Sequence, residues 1–272
     1  MPEPTSSDRA VQALEDVTAD TRPRLPGDGT DPHVPVAATV VIVRDRPAGP
    51  EILMIERPDR GSFAGAWVFP GGKLEDADRA AAHALPSRPT AWRPRPVADE
   101  GTLRATADEL AAAHHAGARE TEEETGLRVD AASLVALSCW DPPPGIALRI
   151  RTWFFLALDP GGALTLAPDE VANARWVQPA EMLDRHGRGE VTLYPPTWVT
   201  LHELAAQPDA AAMLGMARMS GIRRFETVAR RGGEGPMLLW QGDAAYHDAM
   251  GDAPSRHRLE MAALPWIYTR TD

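Results

Sequence analysis

Three glutamates crowd the end of a segment that is predicted to form a helix. Residues 103–125 are largely helix-favouring, and Gly126 is a typical helix stop. Glu120, Glu123 and Glu124 stand at positions i, i+3 and i+4, so on a helix their carboxylates share one face. Like charges at this spacing repel one another, and the negative end of the helix dipole opposes them at a cost of roughly 0.3–1 kcal/mol each. Because a bound cation would remove both costs, the pattern indicates a cation site.

A divalent cation that prefers oxygen ligands suits this arrangement best. Mg²⁺ takes carboxylate and water ligands and often bridges to substrate phosphates, and Mn²⁺ is a possible substitute. The competing interpretation is a solvated helix tip, because glutamate is common on protein surfaces. The formal net charge of −11 argues against generic binding to nucleic-acid backbones, which requires a basic surface. A phosphate-handling site on so acidic a chain needs a bound cation to reverse the local charge.

Extended segments flank the predicted helix on both sides. A strand pair is expected at residues 36–43 and 51–56 around a turn, because apolar residues fill both segments. Further strands are predicted at residues 66–70, 129–140, 148–158, 171–177, 237–240 and 258–267. Helices are predicted at residues 179–186, 196–206 and 209–219, two of which begin with proline.

Two separated segments together resemble the signature box of the Nudix family, Gly-x5-Glu-x7-Arg-Glu-U-x-Glu-Glu-x-Gly-U with U aliphatic. Gly72 to Asp78 resembles the first half and follows the family-like Phe69-Pro70-Gly71. Arg119 to Leu127 resembles the second half. Asp78 stands where glutamate is usual, and Thr121 replaces an aliphatic residue.

The two halves are separated by residues 79–118, which is 40 residues where the family usually has seven. The first part of this stretch is rich in proline and is expected to form an exposed loop. The two halves can still meet, because the entropic cost of closing a loop grows only logarithmically with its length.

The resemblance implies an α/β fold of the Nudix type, an α/β/α sandwich with a curved mixed sheet. The chain is expected to comprise a flexible lead (1–33), the Nudix domain (34–207, with the insertion 79–118) and an extension packed on the domain (208–272). The implied enzyme class is a Nudix hydrolase, in which water attacks phosphorus while metal ions hold a diphosphate.

The resemblance also implies the metal ligands and the catalytic groups. The expected metal ligands are the carboxylates of Glu120, Glu123 and Glu124 and the carbonyl of Gly71. The expected catalytic residues are Glu120, Glu123, Arg119 and Glu170. Glu120 is either a ligand or the base that activates water, and Arg119 is expected to hold a carboxylate in place. Glu170 is either an acid that completes the site or an ordinary surface residue.

Candidate substrate-binding residues are Arg57, Gly72, Lys73 and Trp140. Gly72 has no side chain, so metal or phosphate can approach its backbone. Trp140, and likewise Trp67 and Trp153, would stack on a base, although core packing is the more common role of a tryptophan on a strand.

The long insertion resembles the branch of the family that contains the mammalian peroxisomal coenzyme A diphosphatase. Residues 138–143, residues 152–156 and Pro195-Pro196-Thr197 agree with that branch. Coenzyme A or acyl-coenzyme A is therefore the lead substrate. ADP-ribose, NADH, a nucleotide sugar and a capped RNA end are alternatives. A Nudix fold that senses a nucleotide without turnover is the competing class, and the retained glutamates argue against it.

Cysteine content and hydropathy indicate a cytoplasmic protein with no membrane partner. Cys139 is the single cysteine and is expected to be buried on a strand, so no disulfide can form within the chain. No apolar run approaches the roughly 18 residues of a membrane span, and no secretory signal pattern is visible. A homodimer is possible by analogy with the family.

Overall fold

A long central strand organises the molecule. The computed structural model describes residues 21–23, 34–60, 63–84, 107–143, 149–233, 235–247 and 254–271. Strand β1 (Val36–Arg46) is buried from Ala37 to Val43. Such a continuous apolar run is typical of a strand that is covered on both faces. It pairs antiparallel with β2 (Gly49–Glu56) and parallel with β6 (Arg151–Leu158).

The main sheet is mixed and has eight strands in the described residues, in the order β3-β2-β1-β6-β5-β8, with β4 on β1 and β7 on β2. Its other strands are β3 (Trp67–Val68), β4 (Gly71–Lys73), β5 (Val135–Asp141), β7 (Asn173–Val177) and β8 (Arg223–Glu226). The short strands β3 and β4 bring the Phe69-Pro70-Gly71-Gly72 segment alongside β1, where Thr39 is paired with Gly71.

Helices cover both faces of this sheet. They are α1 (Asp76–Ala84), α2 (Ala107–Thr125), α3 (Pro179–Gly187), α4 (Pro195–Ala205) and α5 (Ala210–Ser220), with a single 3₁₀ turn at Ala131–Ser133. On one face, Ala113 and Ala116 of α2 pack against Val40 of β1. On the other face, Leu201 and Met213 of α4 and α5 pack with Val41. The expected α/β sandwich is confirmed.

A second sheet of four strands follows the helices. It consists of β9 (Val228–Gly232), β10 (Gly235–Leu239), β11 (His257–Glu260) and β12 (Ile267–Arg270), in the order β12-β11-β10-β9. The strand expected at residues 258–267 is therefore two strands. Trp240, which directly follows β10, meets Trp140 of the main sheet edge-on, with ring centroids 5.6 Å apart. The division of the chain into three parts stays a prediction.

Helix α1 lies where an exposed loop was expected, so that expectation was wrong for residues 79–84. Asp78 explains why the helix forms. Its carboxylate accepts a hydrogen bond of 2.8 Å from the backbone N–H of Glu75, which is half of a capping box. The rest of the expected loop, 85–102, and the predicted helical residues 103–106 lie outside the described residues.

Residues 21–23, which belong to the expected lead of residues 1–33, contact strand β9. Thr21 is buried, its N–H donates to the carbonyl of Ala229 (3.1 Å), and its hydroxyl accepts from the N–H of Ala229 (2.8 Å). Arg230 also donates to the carbonyl of Thr21. These contacts attach the segment to β9. The other residues of the lead lie outside the described residues.

Cys139 is buried on β5, as expected. Among the described helices, none is both long and apolar enough to cross a bilayer.

Candidate metal centre

Three carboxylates from two elements converge at the end of helix α2. Glu120 and Glu124 come from its last turns, and Glu170 comes from the turn before β7. Each offers an oxygen, and these oxygens all lie within 4.8 Å of one another. Glu124 is fully buried, Glu120 is half-buried and Glu170 is exposed. The set therefore runs from the protein interior to solvent.

Glu124 is the buried member of this cluster. One of its oxygens accepts from Nη1 of Arg57 (2.9 Å), and the other accepts from the backbone N–H of Gly71 (2.8 Å). Burial raises the pKa of Glu124 to about 7, although both hydrogen-bond partners act in the opposite direction. The charges of Glu120 and Glu170 raise the pKa further. One arginine thus leaves this carboxylate incompletely compensated.

Two glycines allow the backbone to pass beneath the acids. A Cβ on Gly72 would overlap the carboxylate of Glu120, and a Cβ on Gly71 would overlap the carbonyl of Ala38. Gly71 also has a φ of 157°. Only glycine fits at both positions without displacing the neighbouring groups. Gly71 is therefore required by the close approach of β4 to β1, and Gly72 leaves room for the Glu120 side chain of helix α2.

Burial raises the pKa of Glu120, against the opposing charge and hydrogen bond of Arg119. Arg119 joins the two halves of the box directly. Its guanidinium donates to both oxygens of Asp78 (3.2 and 3.0 Å) and to the carbonyl of Lys73 (3.0 Å). It also donates to Glu120 (2.9 Å) and Glu123 (2.8 Å). These contacts show that residues 72–78 and 119–127 meet in space, although 40 residues separate Asp78 from Arg119.

The position of Glu170 is fixed by backbone contacts at the end of α2. The N–H of Thr165 donates to the carbonyl of Thr125 (2.8 Å), and the N–H of Ala167 donates to the carbonyl of Glu124 (3.2 Å). The last carbonyls of a helix have no partner within the helix, so this segment satisfies them. A turn from Ala167 to Glu170 (3.1 Å) then directs the chain towards the cluster.

This donor set fits a hard divalent cation. Carboxylate oxygens are the ligands that such ions prefer, and a cation would compensate a cluster in which burial raises the pKa of two glutamates. The geometry therefore agrees with a site that binds a divalent ion.

Comparison with known proteins finds a family model that matches the part of the chain carrying the three acids. Residues 106–197 match the model of the NUDIX domain family. The matched range includes Arg119 to Leu127 and Glu170, whereas Gly72 to Asp78 lies outside it. The expected enzyme class, a Nudix hydrolase, is confirmed by this match.

One of the matching solved structures, with a TM-score above 0.5, supports the fold. A NUDIX hydrolase from Alicyclobacillus acidocaldarius aligns with a TM-score of 0.58 at 23% identity, over 68% of this chain and 97% of that one. A MutT NUDIX hydrolase from Burkholderia pseudomallei aligns at 0.40 and 22%, over 63% and 98%. The NUDIX domain of Shewanella oneidensis NrtR, complexed with ADP ribose, aligns at 0.43 and 14%, over 66% and 90%.

Within the matched range, Glu123 lies apart from the three acids. Its side chain is 54% exposed, and its carboxylate is paired with Arg119. It is not a member of the set that lies within 4.8 Å in the described residues. The structure thus places Glu120, Glu124 and Glu170 together, whereas the sequence predicted Glu120, Glu123 and Glu124 as the acidic ligands.

Trp140 is not on a binding surface, which corrects its assignment as a substrate-binding residue. It is 3% exposed, and its ring stacks on Phe225 with centroids 3.8 Å apart. Its indole N–H donates to the hydroxyl of Ser138 (3.0 Å). Because β5 is buried on both faces, the ring of Trp140 is not accessible to a ligand. Trp67 and Trp153 are also buried.

The other candidate substrate-binding residues border the site. Arg57 contacts Glu124, and Gly72 lies against Glu120. Lys73 is exposed, and its carbonyl accepts from Arg119. The sequence interpretation missed the backbone N–H of Gly71 as a partner of Glu124, and it missed the segment at Thr165 and Ala167 that delivers Glu170. Backbone donors of this kind leave no signature in side-chain identity.

Proposed function

We propose that this Nudix hydrolase cleaves the diphosphate linkage of a nucleoside diphosphate derivative with the help of Mg²⁺. The observation that carries the proposal is the convergence of Glu120, Glu124 and Glu170, whose oxygens lie within 4.8 Å of one another. We propose these three residues as the ligands, with Mn²⁺ as an alternative ion. When bound, the ion supplies positive charge for the diphosphate and lowers the pKa of bound water.

The residues around the acids have distinct roles in this proposal. Glu170 is the exposed member of the set, so solvent water reaches it, and it is the proposed acceptor of the water proton. Arg57 and the N–H of Gly71 orient Glu124 and oppose the effect of burial on its pKa. Arg119 is a positioning residue, because it fixes Glu120 and Glu123 against Asp78 instead of pointing a free guanidinium at the substrate. Lys73 is exposed and is proposed to contact a substrate phosphate.

Coenzyme A or acyl-coenzyme A is the proposed substrate. Its support is the resemblance in the sequence: the 40 residues between Asp78 and Arg119, and the Pro195-Pro196-Thr197 segment at the start of α4. ADP-ribose, NADH, nucleotide sugars and capped RNA ends remain alternatives, since all contain a phosphoanhydride bond.

A substrate panel with mass spectrometry of the products tests this proposal. The purified chain is incubated with Mg²⁺, in water enriched in ¹⁸O, with coenzyme A and each alternative. The expected result is a product phosphate that carries one ¹⁸O and a Mg²⁺ requirement, with the highest kcat/KM for coenzyme A. Turnover of another member would replace coenzyme A as the substrate. Binding without any turnover would support the nucleotide sensor instead.

A further inference from the structure

Phe63 holds a backbone conformation that residues with side chains rarely adopt. Its φ of 62° lies in the left-handed region, where a bulky residue is an outlier. Strained residues of this kind persist only when the surroundings impose them, and they cluster at ligand clamps and active sites. Phe63 is the one non-glycine residue with positive φ in the described part of the chain.

The loop that carries Phe63 is attached to the acid cluster. It begins at Arg57, whose side chain donates to Glu124 (2.9 Å). Three residues later, Arg60 donates to the carbonyl of Asp169 (3.1 Å), directly before Glu170 in the chain. The two ends of the loop are closed by a hydrogen bond from the N–H of Arg57 to the carbonyl of Ala66 (2.9 Å). Phe63 therefore lies in a short loop that borders the proposed metal site.

Tyr194 is far from Phe63 in the sequence but packs against its ring. The two rings pack edge to face, with centroids 4.6 Å apart and an angle of 88° between their planes. Both residues are half-buried, so part of each side chain remains accessible. Tyr194 is the N-cap of α4 and directly precedes Pro195-Pro196, which fix the start of that helix. A bridge between Ala66 and Thr192 connects the Phe63 loop to this segment.

We propose that Phe63 and Tyr194 form an aromatic subsite that binds the planar ring of the nucleoside part of the substrate. The inference deepens the proposed function and rests on it, because it assigns the base of the nucleoside diphosphate to these two rings. A nucleobase has a π-face that stacks on an aromatic side chain or meets its edge, largely independently of base identity. The pair replaces Trp140, Trp67 and Trp153, which are all buried in the core.

Kinetics on a matched pair of substrates tests the subsite. ADP-ribose carries the base, and the corresponding bis-ribosyl diphosphate lacks it. For Phe63→Ala we expect KM for ADP-ribose to rise about tenfold with kcat within about twofold, and KM for the base-free compound to stay unchanged. Phe63→Tyr keeps an aromatic ring and should restore KM. If Phe63→Ala folds poorly, Phe63→Leu and Tyr194→Ala test the same subsite and should also raise the KM for ADP-ribose.

Direct binding separates failure of the subsite from failure of the proposed function. Calorimetry with ADP and Mg²⁺ should give a Kd about tenfold weaker for Phe63→Ala than for the native chain. Ile267→Ala, at an exposed position on β12, is the control and should leave Kd unchanged. If no diphosphate is hydrolysed, the proposed function fails, while the ADP titration still tests the subsite. Equal ADP affinities in native and Phe63→Ala chains, no ADP binding, or an equal rise of KM for both substrates would overturn the subsite.

Discussion

Glu124 and Asp141 are both buried carboxylates, but their surroundings differ in charge. Two arginines bind Asp141: Arg151 donates to one oxygen (2.6 Å) and Arg224 to the other (2.6 Å). Burial alone would raise the pKa of Asp141, but the charges of Arg224 and Arg151 outweigh it and hold the pKa below its usual value. At Glu124, burial prevails over the single arginine and raises the pKa to about 7.

The comparison separates a structural ion cluster from a candidate binding site. Asp141 joins three strands, because Arg151 belongs to β6 and Arg224 to β8. Both of its oxygens are paired with a buried arginine. Glu124 faces two further acids, Glu120 and Glu170, and Arg57 compensates its charge only in part. A buried charge of this kind is costly unless a ligand compensates it, which favours a function in cation binding.

The largest expected effect distinguishes the two carboxylates by activity. Glu124→Gln should lower kcat for diphosphate hydrolysis about 10³-fold, or about 4 kcal/mol in transition-state stabilisation, because the amide cannot bind the cation as a carboxylate does. Circular dichroism should show an intact fold. Glu120→Gln is the parallel variant. A rate within tenfold of the native rate would remove Glu124 from the site.

Asp141→Asn should lower the stability of the fold and leave kcat nearly unchanged. Loss of the carboxylate leaves Arg151 and Arg224 buried without their shared anion, so the free energy of unfolding should fall by about 3–5 kcal/mol. Denaturant titration measures this change. The kcat of the folded enzyme should stay within about twofold. An unchanged stability combined with lost turnover would reverse the roles assigned to the two clusters.

In the absence of metal, the pH dependence of stability should also distinguish Glu124 from Asp141. The pKa of Glu124 is raised above its unfolded value of about 4.5, so its contribution to stability is complete below that pH and is lost as pH rises through about 7. The loss should reach at most about 3 kcal/mol. Thermal unfolding in EDTA between pH 4.5 and 8 checks this: the native chain should lose stability across the window relative to Glu124→Gln. Parallel profiles would contradict the pKa assigned to Glu124.

The smallest effect concerns the exposed ion pair beside the cluster. Arg60 and Asp169 are 69% and 94% exposed and lie 3.3 Å apart. Exposed pairs contribute about 0–1 kcal/mol, so Arg60→Ala should change the free energy of unfolding by less than about 1 kcal/mol in urea titration. A larger loss would show that the loop needs this pair to stay folded, unlike the well-anchored Asp141 cluster.

Helix α2 and its acids were predictable because local signals specify them. Gly126 takes a φ of 75° and ends the helix at Thr125, as expected, and the spacing of Glu120 and Glu124 places both on one face. The position of Glu170 was an open alternative, because backbone hydrogen bonds at Thr165 and Ala167 deliver it. Residues of almost any type can make such bonds.

The wrong assignment of Trp140 and the features that the sequence did not predict also depend on contacts that are distant in the chain. The last five residues of strand β5 are all buried, so the sequence gives no alternation that would reveal the environment of Trp140. Strand β8 has four residues and pairs in parallel with β5, which lies more than 80 positions earlier in the chain. No local sequence pattern therefore predicts this strand. Phe63 was missed because its positive φ has no side-chain signature and its partner Tyr194 lies more than 100 positions later in the chain.

Electron paramagnetic resonance of Mn²⁺, titrated into the protein, tests most directly whether the three acids hold a divalent cation. The native chain should immobilise Mn²⁺, Mg²⁺ should compete for the same site, and the double variant Glu120→Gln/Glu124→Gln should lose it. Asp141→Asn should retain it. Identical Mn²⁺ stoichiometry and affinity in the native chain and the double variant would contradict the account.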